Sequence, residues 1–302
     1  MDALAHAAVE ETMARPIGPT IPRWQLGEQL SRLRERAQVS QAQIADRLGC
    51  SVSKIQKIEA GEVGMVKVEL EAMLDEYHIA DDGMRGEMLE LQRLGKQRGW
   101  WSKFGAVPAP FATFLGLESA AVRIKAFEPM VVHGLLQTED YARAIAGTVA
   151  LTSNDEQRER QVRIRMERQQ NAFGDDPPEV WVILDEAVLR REVGGALVMA
   201  AQLSHLLRLP SYVTVQVVPF NNGGYPGTLG ALTIFEFEER LHTPVVYVEG
   251  QAGNLYLEKE DDLRRCNLSY SHMTASALSK QQSAMLIAAV AEQYEQSPRS
   301  PG

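Results

Sequence analysis

The sequence predicts a multidomain protein in which an all-α N-terminal domain of five helices precedes a larger mixed α/β (α+β) domain. The 302 residues exceed one typical domain of about 100 to 200 residues. Residues 23–92 repeat apolar side chains at helical spacing between good capping residues. From residue 111 onward, strand-like runs alternate with helical ones, and Pro108 and Pro110 mark the joint.

Composition limits the class of protein. With 45% hydrophobic and 24% charged residues, the chain is an ordinary globular sequence. No apolar run approaches the roughly 18 residues of a membrane span, and the N-terminus has no signal-peptide pattern. Cys50 and Cys266 lie far apart with no CxxC pair, so neither a disulfide framework nor a zinc site is predicted. We expect a cytoplasmic protein with no membrane partner.

The chain opens with a segment that lacks periodicity and continues with a helix. Residues 1–22 contain three prolines near their end, and we expect a mobile tail there. Residues 24–37 place leucines at helical spacing and predict the first helix, which would form a core under the next element.

Residues 40–61 predict two short helices joined by a tight turn. Ser40 is a good N-cap, and Gln43 completes a capping box with it. Gly49 is placed to take the left-handed conformation that ends the first of these helices. Ser51 can cap the second.

The second short helix separates an apolar face from a polar, basic one. Ile55 and Ile58 are expected to point inward. The outward positions are Val52, Ser53, Lys54, Gln56 and Lys57. A helix with such a face, held across a short turn from a supporting helix, has the geometry of a recognition element in the DNA major groove. Spacing alone leaves an ordinary helical hairpin with a solvated face as the alternative.

The residue pattern favours the DNA-binding interpretation. The positions that carry it are Ser40, Gln41, Ala45, Gly49, Ser51, Val52, Ser53, Ile55, Ile58, Glu59 and Gly61. Together they resemble, without gaps, the phage-repressor-like (xenobiotic-response-element) family. The resemblance implies that residues 23–92 form a five-helix helix-turn-helix DNA-binding domain. Its last two helices are expected over 66–77 and after a cap at Asp81 or Asp82.

The resemblance also implies roles for individual side chains. The expected DNA contacts are Gln41, Ser51, Val52, Ser53, Lys54, Gln56 and Lys57. Gln41 and Ser51 would contact phosphate or orient the domain, Lys54 would contact phosphate, and the other four would face base edges. In this family an arginine late in the first helix pairs with a glutamate near the end of the recognition helix. Arg34 and Glu59 occupy those positions, so we expect a structural ion pair.

Local charge limits where DNA can bind. The net charge of −9 argues against binding over the whole surface. Residues 23–61, however, hold seven basic and four acidic residues, whereas residues 62–92 hold two basic and nine acidic ones. We therefore expect DNA to meet only the first segment, and we expect a homodimer because one short helix gives little specificity.

Residues 93–110 are expected to be a linker with basic and aromatic residues. Basic side chains there surround Trp100, Trp101 and Phe104. Such interleaving fits stacking on single-stranded nucleic acid, but we favour packing between domains.

Residues 111–296 predict one α+β sensory or partner-binding domain, followed by a tail at 297–302. The expected strands are 123–132, 180–184, 212–219, 228–237, 244–249 and 255–258. The expected helices are 139–147 (capped by Thr138), 154–173, 195–209, 259–277 and 279–294. The helix at 154–173 carries five arginines among glutamates. Phosphate contact is one interpretation, and we favour a salt-bridged solvent face.

This region is similar to the C-terminal domain of antitoxin-like bacterial helix-turn-helix regulators. The matching stretches are FEPMVVHGLLQTEDYARA (127–144), WVILDEAVLRREVGG (181–195), VTVQVVPF (213–220) and VVYVEGQAGNLYLEK (245–259). In that family the regulator is frequently associated with a small protein encoded beside it, and members are linked with transcriptional control of development. Proline is usual after the two valines of the first stretch, and His133 stands there instead.

Motifs for catalysis are missing from the sequence. It contains no HExxH, GxSxG, P-loop or GxGxxG pattern. Asp185 and Glu186 end one predicted strand and Glu249 ends another, but we expect them to cap helices or face water. Cys266 and His272 are too loosely spaced to be claimed as nucleophile and base. We expect no enzyme, no cofactor and no metal.

The sequence therefore predicts a cytoplasmic bacterial transcription regulator. As a homodimer it would read a double-stranded DNA operator in the major groove, while its C-terminal domain would receive a small-molecule effector or a protein signal. The second reading is an antitoxin-like protein that binds a small partner protein encoded nearby and only autoregulates through DNA. A small-molecule receptor or an enzyme in the C-terminal domain is the third.

Overall fold

The computed structural model describes residues 18–149, 154–238, 241–250 and 253–297, and these fall into two compact units. One unit extends to Gly99, and the second begins at Trp100. Most of the predicted N-terminal tail and almost all of the predicted tail at 297–302 lie outside the described residues. The first unit is all-α and the second combines helices with a sheet, so the predicted fold class is confirmed.

Five helices build the first unit around one core. They are α1 (Thr20–Arg36), α2 (Gln41–Arg47), α3 (Val52–Glu59), α4 (Lys67–Glu76) and α5 (Asp82–Gly95). Each contributes a fully buried apolar side chain, in order Leu30, Ile44, Ile55, Leu70 and Met88. Because all five helices share this core, α2 and α3 are held in a fixed arrangement.

The first helix begins earlier than predicted. Thr20, Ile21 and Pro22 were expected in the mobile tail, but they form the first turn of α1, and Ile21 is fully buried. Proline is compatible with a first turn because the N–H groups there have no partner within the helix. Pro19 therefore precedes α1 and Pro22 lies in its first turn, so neither marks a tail up to residue 22.

The second unit combines seven helices and six strands within the described residues. The helices are α6 (Ala109–Ala120), α7 (Glu139–Val149), α8 (Asp155–Ala172), α9 (Glu186–Arg190), α10 (Ala196–Leu206), α11 (Glu260–Ser276) and α12 (Lys280–Gln296). The strands are β1 (Arg123–Glu128), β2 (Glu179–Asp185), β3 (Val213–Val218), β4 (Leu232–Glu236), β5 (Val245–Gly250) and β6 (Gly253–Leu257). Short 3-10 helices lie at Trp100–Phe104, Gly134–Leu136, Phe220–Asn222 and Pro226–Leu229.

The six strands form one mixed sheet in the order β3-β2-β1-β4-β5-β6. Strands β1, β2 and β3 are parallel, whereas β4, β5 and β6 join as antiparallel neighbours. One face buries Phe127 and Ile234 against Tyr270 and Met273 of α11. On the opposite face, Phe114 of α6 packs against the Phe235 and Tyr247 rings.

Two predicted strands are shorter than expected. β1 ends at Glu128, before residue 132, because Pro129 has no N–H to donate to a neighbouring strand. β4 begins at Leu232, after residue 228, because Pro226–Leu229 form a 3-10 helix.

Helix α6 was missed by the sequence prediction. Its central residues 114–118 are all buried, so the helix has no polar face to give a helical period.

The predicted linker at 93–110 is folded. Residues 93–95 complete α5, and Trp100–Phe104 form a 3-10 helix of the second unit. Trp100 Nε1 donates to Ser119 Oγ of α6 at 3.3 Å, and Lys103 pairs with Glu167 of α8. Residues 93–95 and 100–104 are therefore parts of the two units and not of a linker.

Among the described residues, no helix combines the length and the apolar character that a bilayer span requires.

Candidate nucleic-acid interface

The two-helix element forms as its capping residues predict. The Ser40 hydroxyl accepts from Gln43 N at 3.2 Å, and Gln43 Oε1 accepts from Ser40 N at 2.8 Å, which is a complete capping box. Gly49 has φ of 63°, the left-handed conformation expected in the turn. Ser51 Oγ then accepts from Lys54 N at 3.3 Å and starts α3.

A close helix contact supports α3 from behind. A Cβ at Gly27 of α1 would lie 2.5 Å from Glu59 O and 2.6 Å from Ile58 O, so a larger residue would push the two helices apart. The apolar periodicity of α1 did not predict this close contact between α1 and α3. The presence of Gly27 inside a helix could have indicated it, because a glycine there often marks a position where another backbone comes close.

Four of the five positions predicted to face outward on α3 are exposed and free, and Lys54 is the exception. Val52, Ser53, Gln56 and Lys57 are exposed, and no hydrogen bond or ion pair joins their side chains to another described residue. At about 100° per residue these four positions span about 140° of the helix circumference. Ile55 and Ile58 are buried on the other side. The face is small, polar and free to meet a partner.

The expected ion pair is present and mostly buried. Arg34 Nε donates to Glu59 Oε1 at 2.6 Å and Nη2 donates to Oε2 at 3.1 Å, with side-chain exposures of 13% and 6%. Arg34 Nη1 also donates to Val39 O at 3.2 Å. The hydrogen bonds to Glu59 raise the pKa of Arg34. The pair ties the end of α1 to the end of α3.

Two predicted DNA contacts already have protein partners. Gln41 Nε2 donates to Glu59 Oε2 at 2.8 Å, so Gln41 extends the buried ion pair and orients α2 against α3. The Lys54 ammonium pairs with Glu69 of α4, and this hydrogen bond raises the pKa of Lys54. Gln41 and Lys54 therefore differ from the free positions on α3.

Two of the three strand-end carboxylates of the second unit have structural partners, whereas Glu249 lines a cavity and caps no helix among the described residues. Asp185 Oδ1 accepts from Ala187 N at 2.8 Å and caps α9, while Tyr225 donates its hydroxyl proton to Oδ2. Glu186 accepts from Phe220 N at 2.9 Å and pairs with Arg190. Helix capping was the interpretation we favoured for Asp185, and it is confirmed.

Cysteine and histidine positions form no joint site in the described chain. Cys50 and Cys266 are both free thiols, and burial raises the pKa of Cys266, so its thiolate is disfavoured. No group of three or more His, Cys, Asp or Glu residues within the described ranges could hold a metal ion.

The arginine row of α8 departs from the prediction. Arg168 is buried in a bidentate pair with Glu118 of α6. Arg165 donates to Gln137 Oε1 at 2.6 Å, and Arg160 donates to Phe104 O at 2.7 Å. A salt-bridged solvent face is therefore wrong for these three arginines. Their partners lie at least 28 residues away in the chain, beyond the reach of a helical pattern.

Comparison with known families covers both units. Residues 25–87 match a family model described as Helix-turn-helix domain. Residues 111–289 match a model described as Domain of unknown function (DUF5753). The searches of curated proteins and of solved structures found no match. The helix-turn-helix match supports DNA as the partner of the first unit.

Proposed function

The chain belongs to the family described as Domain of unknown function (DUF5753), and because a helix-turn-helix domain precedes that region, we propose that it is a sequence-specific transcription regulator. In this proposal α3 enters the DNA major groove, and the second unit receives the signal that controls binding. We assign no catalytic step to the second unit.

One observation carries the DNA-binding proposal. The face of α3 formed by Val52, Ser53, Gln56 and Lys57 is exposed and free, whereas Glu59 on the same helix is held by Arg34 and Gln41. The contacts of Glu59 with Arg34 and Gln41 fix the orientation of this exposed face. Lys57 can donate to guanine, Gln56 can pair with adenine and Val52 can contact a thymine methyl.

Specificity argues for two copies. Each good base contact discriminates by about 1 to 3 kcal/mol, so one short helix selects weakly from a genome. Two copies that present α3 about 34 Å apart would read two half-sites. We therefore propose a dimer on a palindromic operator.

A selection experiment tests the proposal. The full chain is used to enrich duplexes from a random pool, and binding to the enriched sequence is then measured by fluorescence anisotropy. A variant with Val52, Ser53 and Lys57 changed to alanine should lose the preference for the enriched sequence over the starting pool. The control changes Val68, Ser102 and Lys96 to alanine, which removes the same side-chain types from exposed positions outside α3.

The two variants give opposite expectations. The control should bind the enriched duplex like the wild type. Equal operator binding by the α3 variant and the control would reject the assignment of α3 as the reading helix.

The antitoxin-like reading is the second candidate, and exposed apolar side chains favour it. Leu197, Leu229 and Met285 of the second unit are 67%, 91% and 67% exposed. Such side chains can anchor a protein partner, although scattered ones are common on surfaces. Purification of the full chain from its native cells should then yield a stoichiometric small protein. A chain that purifies alone and binds its operator would favour the regulator with another signal.

A further inference from the structure

A polar cavity lies in the second unit, at one end of the inner strands β1, β4 and β5. Its volume is about 120 Å³. The ends of β1 and β5, the start of β4, and helices α6 and α8 surround it. Of the residues that line it, the ones that matter here are Glu128, Glu249, Arg165, Tyr247 and Thr233.

The strand register brings two carboxyl groups together at this end of the strands. Phe127 of β1 lies opposite Leu232, and Thr233 lies opposite Tyr247 of β5. Glu128 follows Phe127 by one residue, and Glu249 follows Tyr247 by two. The register therefore places Glu128 and Glu249 level with each other across β4, with their side chains on the same face of the sheet. They belong to strands far apart in sequence, and only the sheet brings them together.

A guanidinium group faces the same cavity from α8. Arg165 is half-buried, and its Nη1 donates to Gln137 Oε1 at 2.6 Å. Gln137 is fixed in turn, since its Nε2 donates to Val132 O at 2.6 Å. The remaining N–H groups of Arg165 have no acceptor among the described residues. Gln137 thus fixes the position of the Arg165 guanidinium, but no carboxylate forms an ion pair with it among the described residues.

The neighbouring Arg168 already has a counter-ion. Its Nε and Nη2 donate to Glu118, and its guanidinium lies over the Phe114 ring at 4.7 Å. Arg168 forms part of the wall.

The opposite charges at the cavity do not pair with each other. Within the described chain, no carboxyl oxygen of Glu128 or Glu249 lies within 4.0 Å of an arginine or lysine nitrogen. The hydroxyls of Tyr247 and Thr233 also make no hydrogen bond to a described residue, and both oxygens remain accessible from the cavity that these residues line. This cavity therefore presents two acids, one arginine and two hydroxyls to whatever enters it.

The ionisation of these groups agrees with the geometry. Burial, and then the charge of Glu249, raises the pKa of Glu128 to about 8. Burial, and then the charge of Arg168, lowers the pKa of Arg165 to about 10. Each group would gain from an opposite charge placed beside it.

We propose that this cavity binds a small zwitterion whose protonated amine lies between Glu128 and Glu249 and whose carboxylate is held by Arg165 and Tyr247. The size fits, because a cavity of about 150 Å³ holds benzene with its six non-hydrogen atoms, so a cavity of about 120 Å³ suits about five or six. The binding site follows from the second unit alone, while its role as the signal input rests on the proposed function.

The test uses the full chain without DNA and several simple probes. Isothermal titration calorimetry is carried out with glycine, L-alanine, β-alanine and 4-aminobutanoate. Propanoate and propylamine each carry one of the two charges. At least one zwitterion should bind more tightly than both single-charge probes by about tenfold to a hundredfold, the worth of one charge-assisted hydrogen bond. This comparison needs no variant, so it does not depend on the folding of a mutant.

Variants then assign the two ends of the ligand. Glu128→Gln and Arg165→Gln should each weaken the best zwitterion by about tenfold or more, because Gln cannot ionise beside the ligand amine as Glu128 can, and Arg165→Gln removes the charge that faces the ligand carboxylate. Arg163→Gln, an exposed position on the same helix, is the control and should leave binding unchanged.

Three results would overturn the proposal. They are absence of heat with every zwitterion, propanoate or propylamine binding as tightly as the best zwitterion, and unchanged affinity in both cavity variants. Because operator binding is measured separately and without ligand, failure of this proposal is distinguishable from failure of DNA binding.

Discussion

The buried ion pair between Arg168 and Glu118 allows a quantitative test of how the second unit is held together. Arg168 Nε and Nη2 donate to the two Glu118 oxygens at 2.6 and 2.5 Å, and the side chains are only 7% and 3% exposed. Removing one partner of such a pair leaves the other charge buried and costs about 3 to 5 kcal/mol. Arg168→Met should therefore destabilise the second unit by about that much.

The contact between Arg168 and the Phe114 ring adds a smaller contribution to the stability of the second unit. The Arg168 guanidinium lies 4.7 Å from the centre of the Phe114 ring, and such a cation–π contact is worth about 0.5 to 2 kcal/mol. Glu118→Leu keeps this contact but leaves Arg168 without an acceptor, so it should cost about 3 to 5 kcal/mol as well.

The stability of the double variant shows whether Arg168 and Glu118 stabilise the second unit as a pair or independently of each other. Since a buried pair can be replaced by apolar side chains at little cost, Arg168→Met combined with Glu118→Leu should lose at least about 4 kcal/mol less stability than the sum of the two single losses, which is about 6 to 10 kcal/mol. Arg163→Met on the exposed side of α8 is the control and should change stability by less than about 0.5 kcal/mol.

Tryptophan emission during urea unfolding gives the measurement. Three of the four tryptophans, Trp100, Trp101 and Trp181, lie in the second unit. In a Trp24→Phe background the emission reports that unit alone. The reasoning is refuted if Arg168→Met costs no more than Arg163→Met, or if the two single losses simply add.

Four further expectations concern single side chains. Lys57→Ala should weaken the enriched operator by about 1 to 3 kcal/mol and blur one base position, whereas Lys54→Ala should lower affinity for all duplexes alike in the same anisotropy assay. Glu59→Ala should destabilise the first unit by about 3 to 5 kcal/mol, seen as a lower urea midpoint by circular dichroism; an unchanged midpoint would contradict a structural pair. The pKa of Glu128 is raised from 4.5 in the unfolded chain to about 8, so the folded state holds the proton between these values and stability should fall as pH rises through this window. Glu128→Gln should remove that slope, and an identical slope in wild type and variant would assign it elsewhere. Arg165→Met should change stability by less than about 1 kcal/mol, because it removes one hydrogen bond together with a poorly solvated charge; a loss as large as that of Arg168→Met would contradict this.

The helix-turn-helix could be predicted from the sequence because its determinants are local. Ser40 and Gln43 are three residues apart, and both ends of their capping box form. Gly49 adopts the left-handed conformation that the turn requires. The ion pair between Arg34 and Glu59 is the exception, because the two residues are 25 positions apart. It was expected from the family resemblance and not from residue spacing.

The cavity could not be predicted because its determinants are long-range. Glu128 and Glu249 meet only through the register of β1, β4 and β5. Arg168 and Glu118 are 50 residues apart, and α6, which carries Glu118, gave no periodic signal because its centre is buried all round. A row of arginines among glutamates therefore resembled a solvent face, although three of them point to the interior or to main-chain oxygens.

Arg165 and Arg168 show how the structure distinguishes a structural charge from one available to a ligand. They lie one turn apart on α8, yet Arg168 has a carboxylate partner and an aromatic ring, while Arg165 has only the Gln137 amide. Burial disfavours the charge of Arg165 and lowers its pKa, and the nearby carboxylates offset this only in part because none forms a direct ion pair with it among the described residues. Two acids lie at the same cavity without forming an ion pair with it. In the proposed complex, a ligand that carries both charges would complete this network.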